Sequence, residues 1–136
     1  MCGIAGFWRP DNFSADKARA YAEEMAARIV HRGPDDAGVW LDEQAGIALA
    51  HRRLSILDLS ASGHQPMISL SGRYVIVFNG EIYNHLELRR ALGRETETEW
   101  RGHSDTETLL AAFERWGVDE TLRKTVGMFA IALWDR

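Results

Sequence analysis

The single cysteine of this 136-residue sequence is its second residue, where one residue would carry both a nucleophile and a base. Removal of Met1, which a small second residue permits, would leave Cys2 with a free α-amine beside its thiol. Part of that amine is neutral near pH 7 and could accept the thiol proton, and the thiolate is the reactive form. The alternative is that Cys2 is an ordinary small residue near a chain end.

Asn79 and Gly80 are a second group with chemical potential, and they follow a strongly strand-forming run at residues 74–78. Asn-Gly favours a type I′ hairpin turn, although residues 81–85 make a poor second strand. The other interpretation is a loop at the end of a strand, a common place for site residues. There the Asn79 side-chain amide and the Gly80 backbone N–H could donate to a developing oxyanion. Both interpretations stay open from the sequence.

Arg53 and Asp105 could together bind the head group of an amino acid. The forked guanidinium of Arg53 suits a carboxylate, and the carboxylate of Asp105 suits an α-ammonium group. Each residue also has a simpler explanation. Arg53 could be a solvated charge beside Arg52, and Asp105 could be an acid in the first turn of a helix, where the helix dipole favours it.

Strands and helices must position these residues, and the sequence pattern predicts an α+β domain. Apolar periodicity predicts helices at 14–29 and 84–92, and an S-x-x-E capping box at Ser104 predicts a third helix that ends at Gly117. Short apolar runs predict strands at 3–8, 39–41, 47–50, 74–78 and 128–134. The last strand is expected to be buried, and an uncovered apolar edge there is expected to promote self-association.

Charge, cysteine content and histidine spacing argue against several classes of function. The chain has 16 Lys and Arg against 20 Asp and Glu, which disfavours nucleic acid or an anionic membrane as partner. One cysteine cannot form an internal disulfide, and no secretory signal or membrane-spanning run is visible, so a cytoplasmic location is expected. The five histidines lack metal-ligand spacing, so no metal site is expected.

Seven short motifs in order along the chain resemble the class II glutamine amidotransferases, a branch of the N-terminal-nucleophile hydrolases. The resemblance is closest to the asparagine synthetase (glutamine-hydrolysing) family, since sister branches differ after the Arg-Gly pair. The motifs are MCGI at 1–4, HRGPD at 31–35, HRRLSI at 51–56, GHQPM at 63–67, NGEIYN at 79–84, SDTE at 104–107 and GMFA at 127–130.

The resemblance implies a four-layer αββα sandwich and a glutaminase reaction. Cys2 would attack the side-chain amide of glutamine to form a thioester, with its own amine as base, and Asn79 and Gly80 would form the oxyanion hole. Arg53 would bind the α-carboxylate, and Asp105 with Glu81 the α-ammonium group. The residues implied in substrate binding are Arg53, Leu54, Ser55, Ile56, Leu57, Asn79, Gly80, Glu81 and Asp105.

The resemblance also implies a longer protein. The glutaminase domain of the family continues beyond Arg136, so residues 1–136 are expected to be an incomplete glutaminase domain that lacks the C-terminal synthetase domain. That domain would use ATP and Mg²⁺ to amidate aspartate with the released ammonia, and no cofactor is expected in this segment. A homodimer is one expected assembly. The alternatives are a non-catalytic glutamine-binding or assembly fragment, and an amidotransferase for another acceptor such as a sugar acid.

Overall fold

A computed structural model describes residues 2–11, 13–55, 61–95 and 99–136 of the chain. These residues form a mixed α/β domain with two antiparallel sheets and four helices, and short 3₁₀ turns lie at Val30–Arg32 and Ala61–Gly63. In chain order the elements are β1 (Gly3–Trp8), α1 (Ala15–Arg28), β2 (Asp36–Asp42), β3 (Ile47–Arg53), β4 (Met67–Ile68), β5 (Tyr74–Ile82), α2 (His85–Glu95), α3 (Asp105–Trp116), α4 (Val118–Lys124) and β6 (Gly127–Asp135).

Strand pairing places the start of β1 beside the end of β3. The first sheet has the order β1-β3-β2, and Gly3 of β1 lies opposite Arg52 of β3. The first residues of β1 therefore lie beside the last residues of β3. The second sheet has the order β4-β5-β6, with β5 paired to β6 along its whole length.

The core follows from the two-residue alternation of strand side chains. One face of β3 carries Ala48 and Ala50, which pack against Ala22 of α1. Its other face packs Leu49 in a cluster with Val77 of β5, so the two sheets contact each other. The remaining face of β5 packs against α2 and α3 in the third cluster. Both β3 and β5 are thus buried on two faces, which fixes their position.

The helix predicted at 14–29 is confirmed as α1, and its buried face is formed by its smallest apolar side chains. The buried positions are alanines, whereas Tyr21 is 52% and Met25 38% exposed. Small side chains let the helix axis approach the sheet closely, so alanine takes the inward positions. The helix predicted to start at the Ser104 capping box is confirmed as α3, with Gly117 at its C-cap.

Asn79 and Gly80 lie within a strand, so both predictions for them, a hairpin turn and a loop at the end of a strand, are wrong. The strand β5 continues to Ile82, with Asn79 opposite Ala130 and Gly80 opposite Phe129 of β6. Pairing with a segment far along the chain overrides the local turn preference of Asn-Gly. A methyl group on Gly80 would collide with the backbone oxygen of Met128, so this close pairing requires glycine.

The prediction that the last strand is buried is also wrong. The strand β6 lies at the edge of its sheet, and Met128 is 70% exposed. The elements β4 and α4 were not predicted, since two residues of strand and seven of helix give little periodicity. In the part of the chain that is described, no helix has the length and apolar character to cross a membrane.

Candidate active site

A cavity of about 420 Å³ opens where the start of β1, the end of β3 and the end of β5 meet. Residues from both sheets and from the start of α3 form its walls. They are Cys2, Arg53, Leu54, Gly63, Gln65, Phe78, Asn79, Gly80, Glu81, Tyr83, Ser104, Asp105, Thr106, Met128, Phe129 and Ala130.

The sulfur of Cys2 is held against the residue that follows β3. Its Sγ atom accepts a hydrogen bond from the Leu54 backbone N–H at 3.4 Å and lies 3.7 Å from the Leu54 carbonyl oxygen. The Arg32 Nε atom donates to the Cys2 carbonyl oxygen at 3.1 Å. The thiol therefore has a defined position at the cavity wall, although Cys2 lies near the chain terminus, just before β1.

The HRGPD motif fastens β1 to the end of β3, a role that the sequence did not reveal. In addition to the contact of Arg32 with Cys2, Arg52 Nε donates to the Gly33 carbonyl oxygen at 2.9 Å. The Asp35 N–H donates to the Arg53 carbonyl oxygen at 3.0 Å. The motif thus bridges the thiol-bearing strand and the strand that carries Arg53.

One edge of β5 faces the cavity through its even-numbered residues. Since the Ser69 N–H donates to the Tyr74 carbonyl oxygen, the N–H and C=O groups of even-numbered residues point away from β6. On that edge the Phe78 N–H donates to Gln65 Oε1 at 2.7 Å, and the Ile82 N–H donates to Asp105 Oδ2 at 3.0 Å. Gly80 lies between them, so its N–H faces the cavity side.

The side-chain amide of Asn79 also lines the cavity, and its oxygen makes no hydrogen bond to the described residues. Its Oδ1 atom is buried and has no hydrogen-bond partner in that part of the chain. Such a group is uncommon in a folded protein and often marks a functional site. Asn79 and Gly80 thus place a side-chain amide and a backbone N–H along one stretch of the cavity wall.

Asp105 is buried at the start of α3 and fixed through both carboxylate oxygens. Oδ2 accepts from the Ile82 N–H, and Oδ1 accepts from the Thr106 N–H at 2.9 Å. Burial raises the pKa of this carboxyl group, and the two backbone hydrogen bonds oppose that rise. Ser104 Oγ caps the helix by accepting from the Glu107 N–H at 3.2 Å.

Arg53 is the last residue of β3 and is buried, so the interpretation of a solvated charge is wrong. The guanidinium of Arg53 packs directly against Gly63, where a methyl group would displace it. Arg53 and Asp105 line the same cavity. The structure therefore brings together the cation and the anion that an amino-acid head group needs.

The other predicted site residues are distributed as follows. Leu54 and Glu81 line the cavity, whereas Ser55 lies outside the lining and donates its N–H to Asp35 Oδ2 at 2.8 Å. Ile56 and Leu57 lie outside the described residues. Sequence reasoning missed the cavity residues Gln65 and Thr106, although the GHQPM motif contains the first of them. Within the described ranges no group of three or more His, Cys, Asp or Glu could hold a metal ion.

His51 of β3 is fully buried beside the strand that carries the candidate oxyanion donors. Its Nε2 atom lies 3.0 Å from the Phe78 carbonyl oxygen. Burial lowers the pKa of His51 to about 4; Arg53 and His64 act in the same direction, while Phe78 and Asp36 oppose it. The ring is therefore neutral at pH 7, and Nε2 carries the proton because a carbonyl oxygen can only accept.

We expect His51 to make folding stability depend on pH. Since its pKa falls from 6.5 to about 4 on folding, its contribution is complete above pH 6.5 and is lost as the pH falls toward 4. The loss should amount to about 2–4 kcal/mol. His51→Gln should flatten the fall in the free energy of urea unfolding across this window, with His31→Gln as the matched control at an exposed position. Parallel pH profiles of wild type and His51→Gln would contradict a neutral buried His51.

A family model described as glutamine amidotransferase domain matches residues 1–136. The chain therefore belongs to the glutamine amidotransferase domain family.

Within this family, the chain is similar to several curated asparagine synthetases. Asparagine synthetase (glutamine-hydrolyzing) 1 of Bacillus subtilis (strain 168) is 41% identical over 138 residues, which cover 100% of this chain and 21% of the relative. A putative asparagine synthetase (glutamine-hydrolyzing) of Mycobacterium bovis is 40% identical over 99% of this chain and 22% of the relative. Asparagine synthetase B (glutamine-hydrolyzing) of Escherichia coli (strain K12) is 39% identical over 99% of this chain and 23% of the relative. The chain thus spans about a fifth of the length of these relatives.

Proposed function

We propose that this domain hydrolyses glutamine to glutamate and ammonia through a thioester on Cys2. The observation that supports this most strongly is that one cavity is lined by the thiol, by the Asn79–Gly80 stretch, and by the buried pair Arg53 and Asp105. Membership of the glutamine amidotransferase domain family supports the same reaction.

The proposed reaction assigns a role to each wall of the cavity. With Met1 removed, the α-amine of Cys2 takes the thiol proton, and the sulfur attacks the side-chain amide carbon of glutamine. The carbonyl oxygen becomes an oxyanion that accepts from the Asn79 amide and the Gly80 N–H. The C–N bond then breaks, ammonia leaves with the transferred proton, and water hydrolyses the thioester to glutamate.

Substrate recognition is proposed to rest on charge. The guanidinium of Arg53 binds the α-carboxylate of glutamine, and Asp105 with Glu81 binds the α-ammonium group. The carboxylate of Asp105 suits this role because both of its oxygens are already fixed by backbone N–H donors. Leu54, which lines the cavity, borders the aliphatic part of the substrate.

We propose that the fold is the four-layer αββα sandwich of N-terminal-nucleophile hydrolases. Three core clusters support this arrangement: one between α1 and the first sheet, one between the two sheets, and one between the second sheet and the helices α2 and α3.

For the whole protein we propose a glutamine-dependent asparagine synthetase in the cytoplasm. Residues 1–136 would supply ammonia to a synthetase domain of the same polypeptide, where ATP and Mg²⁺ support amidation of aspartate. The names of the relatives and the share of their length that this chain covers support this proposal. A homodimer is the proposed assembly.

Turnover of glutamine tests the proposed reaction. Purified protein with a free Cys2 amine should release glutamate and ammonia in equal amounts, measured by coupled assays for both products. Binding of glutamine without either product would instead indicate a non-catalytic glutamine-binding module.

A further inference from the structure

Two buried side chains outside the proposed catalytic set bind the backbone of the same β5 residue, Phe78. Gln65 Oε1 accepts the Phe78 N–H at 2.7 Å, and His51 Nε2 donates to the Phe78 carbonyl oxygen at 3.0 Å. The neighbouring strand β4 pairs with β5 only at Val75 and Ile76. Where that pairing ends, these two side chains take the place of a strand partner.

Gln65 also connects β5 to the start of α3. Its Nε2 atom donates to Thr106 Oγ1 at 3.3 Å, so both ends of its amide are used. Four residues after Phe78, Asp105 accepts the Ile82 N–H. The stretch that contains Asn79 and Gly80 is therefore fixed at both ends to the same helix start, and the Gly80 N–H lies between the two attachments.

We infer that Gln65 and His51 are positioning residues of the oxyanion hole, which hold the backbone N–H and C=O groups of Phe78 so that the Asn79 and Gly80 donors stay aimed at the reacting carbonyl. The inference rests on the proposed glutaminase function. Its physical basis is preorganisation: donors stabilise a transition state most when they need no rearrangement as charge develops. A displacement of the strand would weaken this stabilisation and leave the charged contacts of Arg53 and Asp105 with the substrate in place.

The test is Gln65→Met, which keeps the length of the side chain but removes its acceptor and its donor. We expect kcat for glutamine to fall by about 10- to 100-fold, below the ~10²–10³ for loss of an oxyanion donor itself, with KM changed by less than about threefold. Gln44→Met, the same substitution in an exposed turn, is the matched control and should retain wild-type kcat.

A second pair of variants keeps the inference testable if Gln65→Met does not fold. His51→Gln retains an N–H that can donate to the Phe78 carbonyl oxygen, whereas His51→Met does not. We expect His51→Gln to recover most of the kcat that His51→Met loses. Equal losses in both variants would overturn the role of His51.

Binding of two ligands separates positioning from a general structural role. The Cys2 thiolate adds to the carbonyl carbon of an aldehyde analogue of glutamine; a C–S bond forms, and the π electron pair of the C=O bond moves to the oxygen, which becomes an oxyanion. Gln65→Met should weaken binding of this analogue by the same factor as kcat/KM, while the affinity for glutamine, measured in the Cys2→Ala background where no oxyanion forms, stays unchanged. An equal loss for both ligands, or a higher KM with unchanged kcat, would overturn the inference. A wild-type protein without glutamine turnover would instead contradict the proposed function itself.

Discussion

Cys2→Ala is expected to abolish glutamate release from glutamine, with kcat lower by at least about 10⁴-fold. The reason is that no other thiol exists in the chain, so no second residue can form the thioester. The side chain is half-buried, and its sulfur is held by hydrogen bonds to the backbone of Leu54, so its removal should cost little stability. The measurement is glutamate release over time, with thermal unfolding of both proteins recorded alongside.

Two further measurements separate the role of the Cys2 thiol from that of its α-amine. In Cys2→Ala, the affinity for glutamine should stay within about threefold of wild type, since the proposed charged contacts come from Arg53 and Asp105. A wild-type protein carrying an N-terminal extension should also lose turnover, because its amine becomes an amide that cannot act as a base. Retained turnover in Cys2→Ala would remove Cys2 from the mechanism, whereas retained turnover in the extended protein would remove only the amine.

Asn79→Ala should lower kcat by about 10²–10³-fold, equivalent to ~2.7–4 kcal/mol in the barrier, with little change in glutamine affinity. The substitution removes the proposed side-chain donor to the oxyanion. Because the Asn79 oxygen has no partner among the described residues, its loss leaves no donor in that part of the chain unpaired, and the fold should tolerate the change. Steady-state kinetics of Asn79→Ala measures the loss in kcat. Glutamine binding to Cys2→Ala, with and without Asn79→Ala, measures the change in affinity separately.

Asn79→Asp provides the directional control for this prediction. A carboxylate of the same shape accepts hydrogen bonds and repels a developing oxyanion, so its kcat should lie below that of Asn79→Ala. If Asn79→Asp were more active than Asn79→Ala, or if both variants changed only KM, the oxyanion assignment would be contradicted.

Features with a local cause were predictable from the sequence. The helix α3 lies between a serine whose side chain accepts the Glu107 N–H and a glycine that ends the helix, and both are visible in the sequence. The strand β1 was predicted at its observed bounds because its apolar run is short and bordered by a turn. Local chemistry also indicates Cys2 as a candidate nucleophile, because the residue needs no distant partner to combine a thiol with an amine.

Features set by distant parts of the chain were not predictable from local pattern. Asn79 and Gly80 favour a turn locally, but pairing with β6 keeps them in a strand. Arg53 and Asp105 each had a simple surface explanation, and only the meeting of β3 with the start of α3 places both in one cavity. Gln65 belongs to no reactive residue type, so its contacts with Phe78 and Thr106 emerge only from the structure.

The most direct test of the proposed nucleophile is the intact mass of the purified protein before and after exposure to an electrophilic glutamine analogue. We predict that Met1 is absent, that a single adduct forms, and that peptide mapping places it on Cys2, the one thiol in the sequence. Excess glutamine should slow the labelling. A retained Met1, or a processed chain that takes up no label, would contradict the claim that Cys2 is a working glutamine-directed nucleophile.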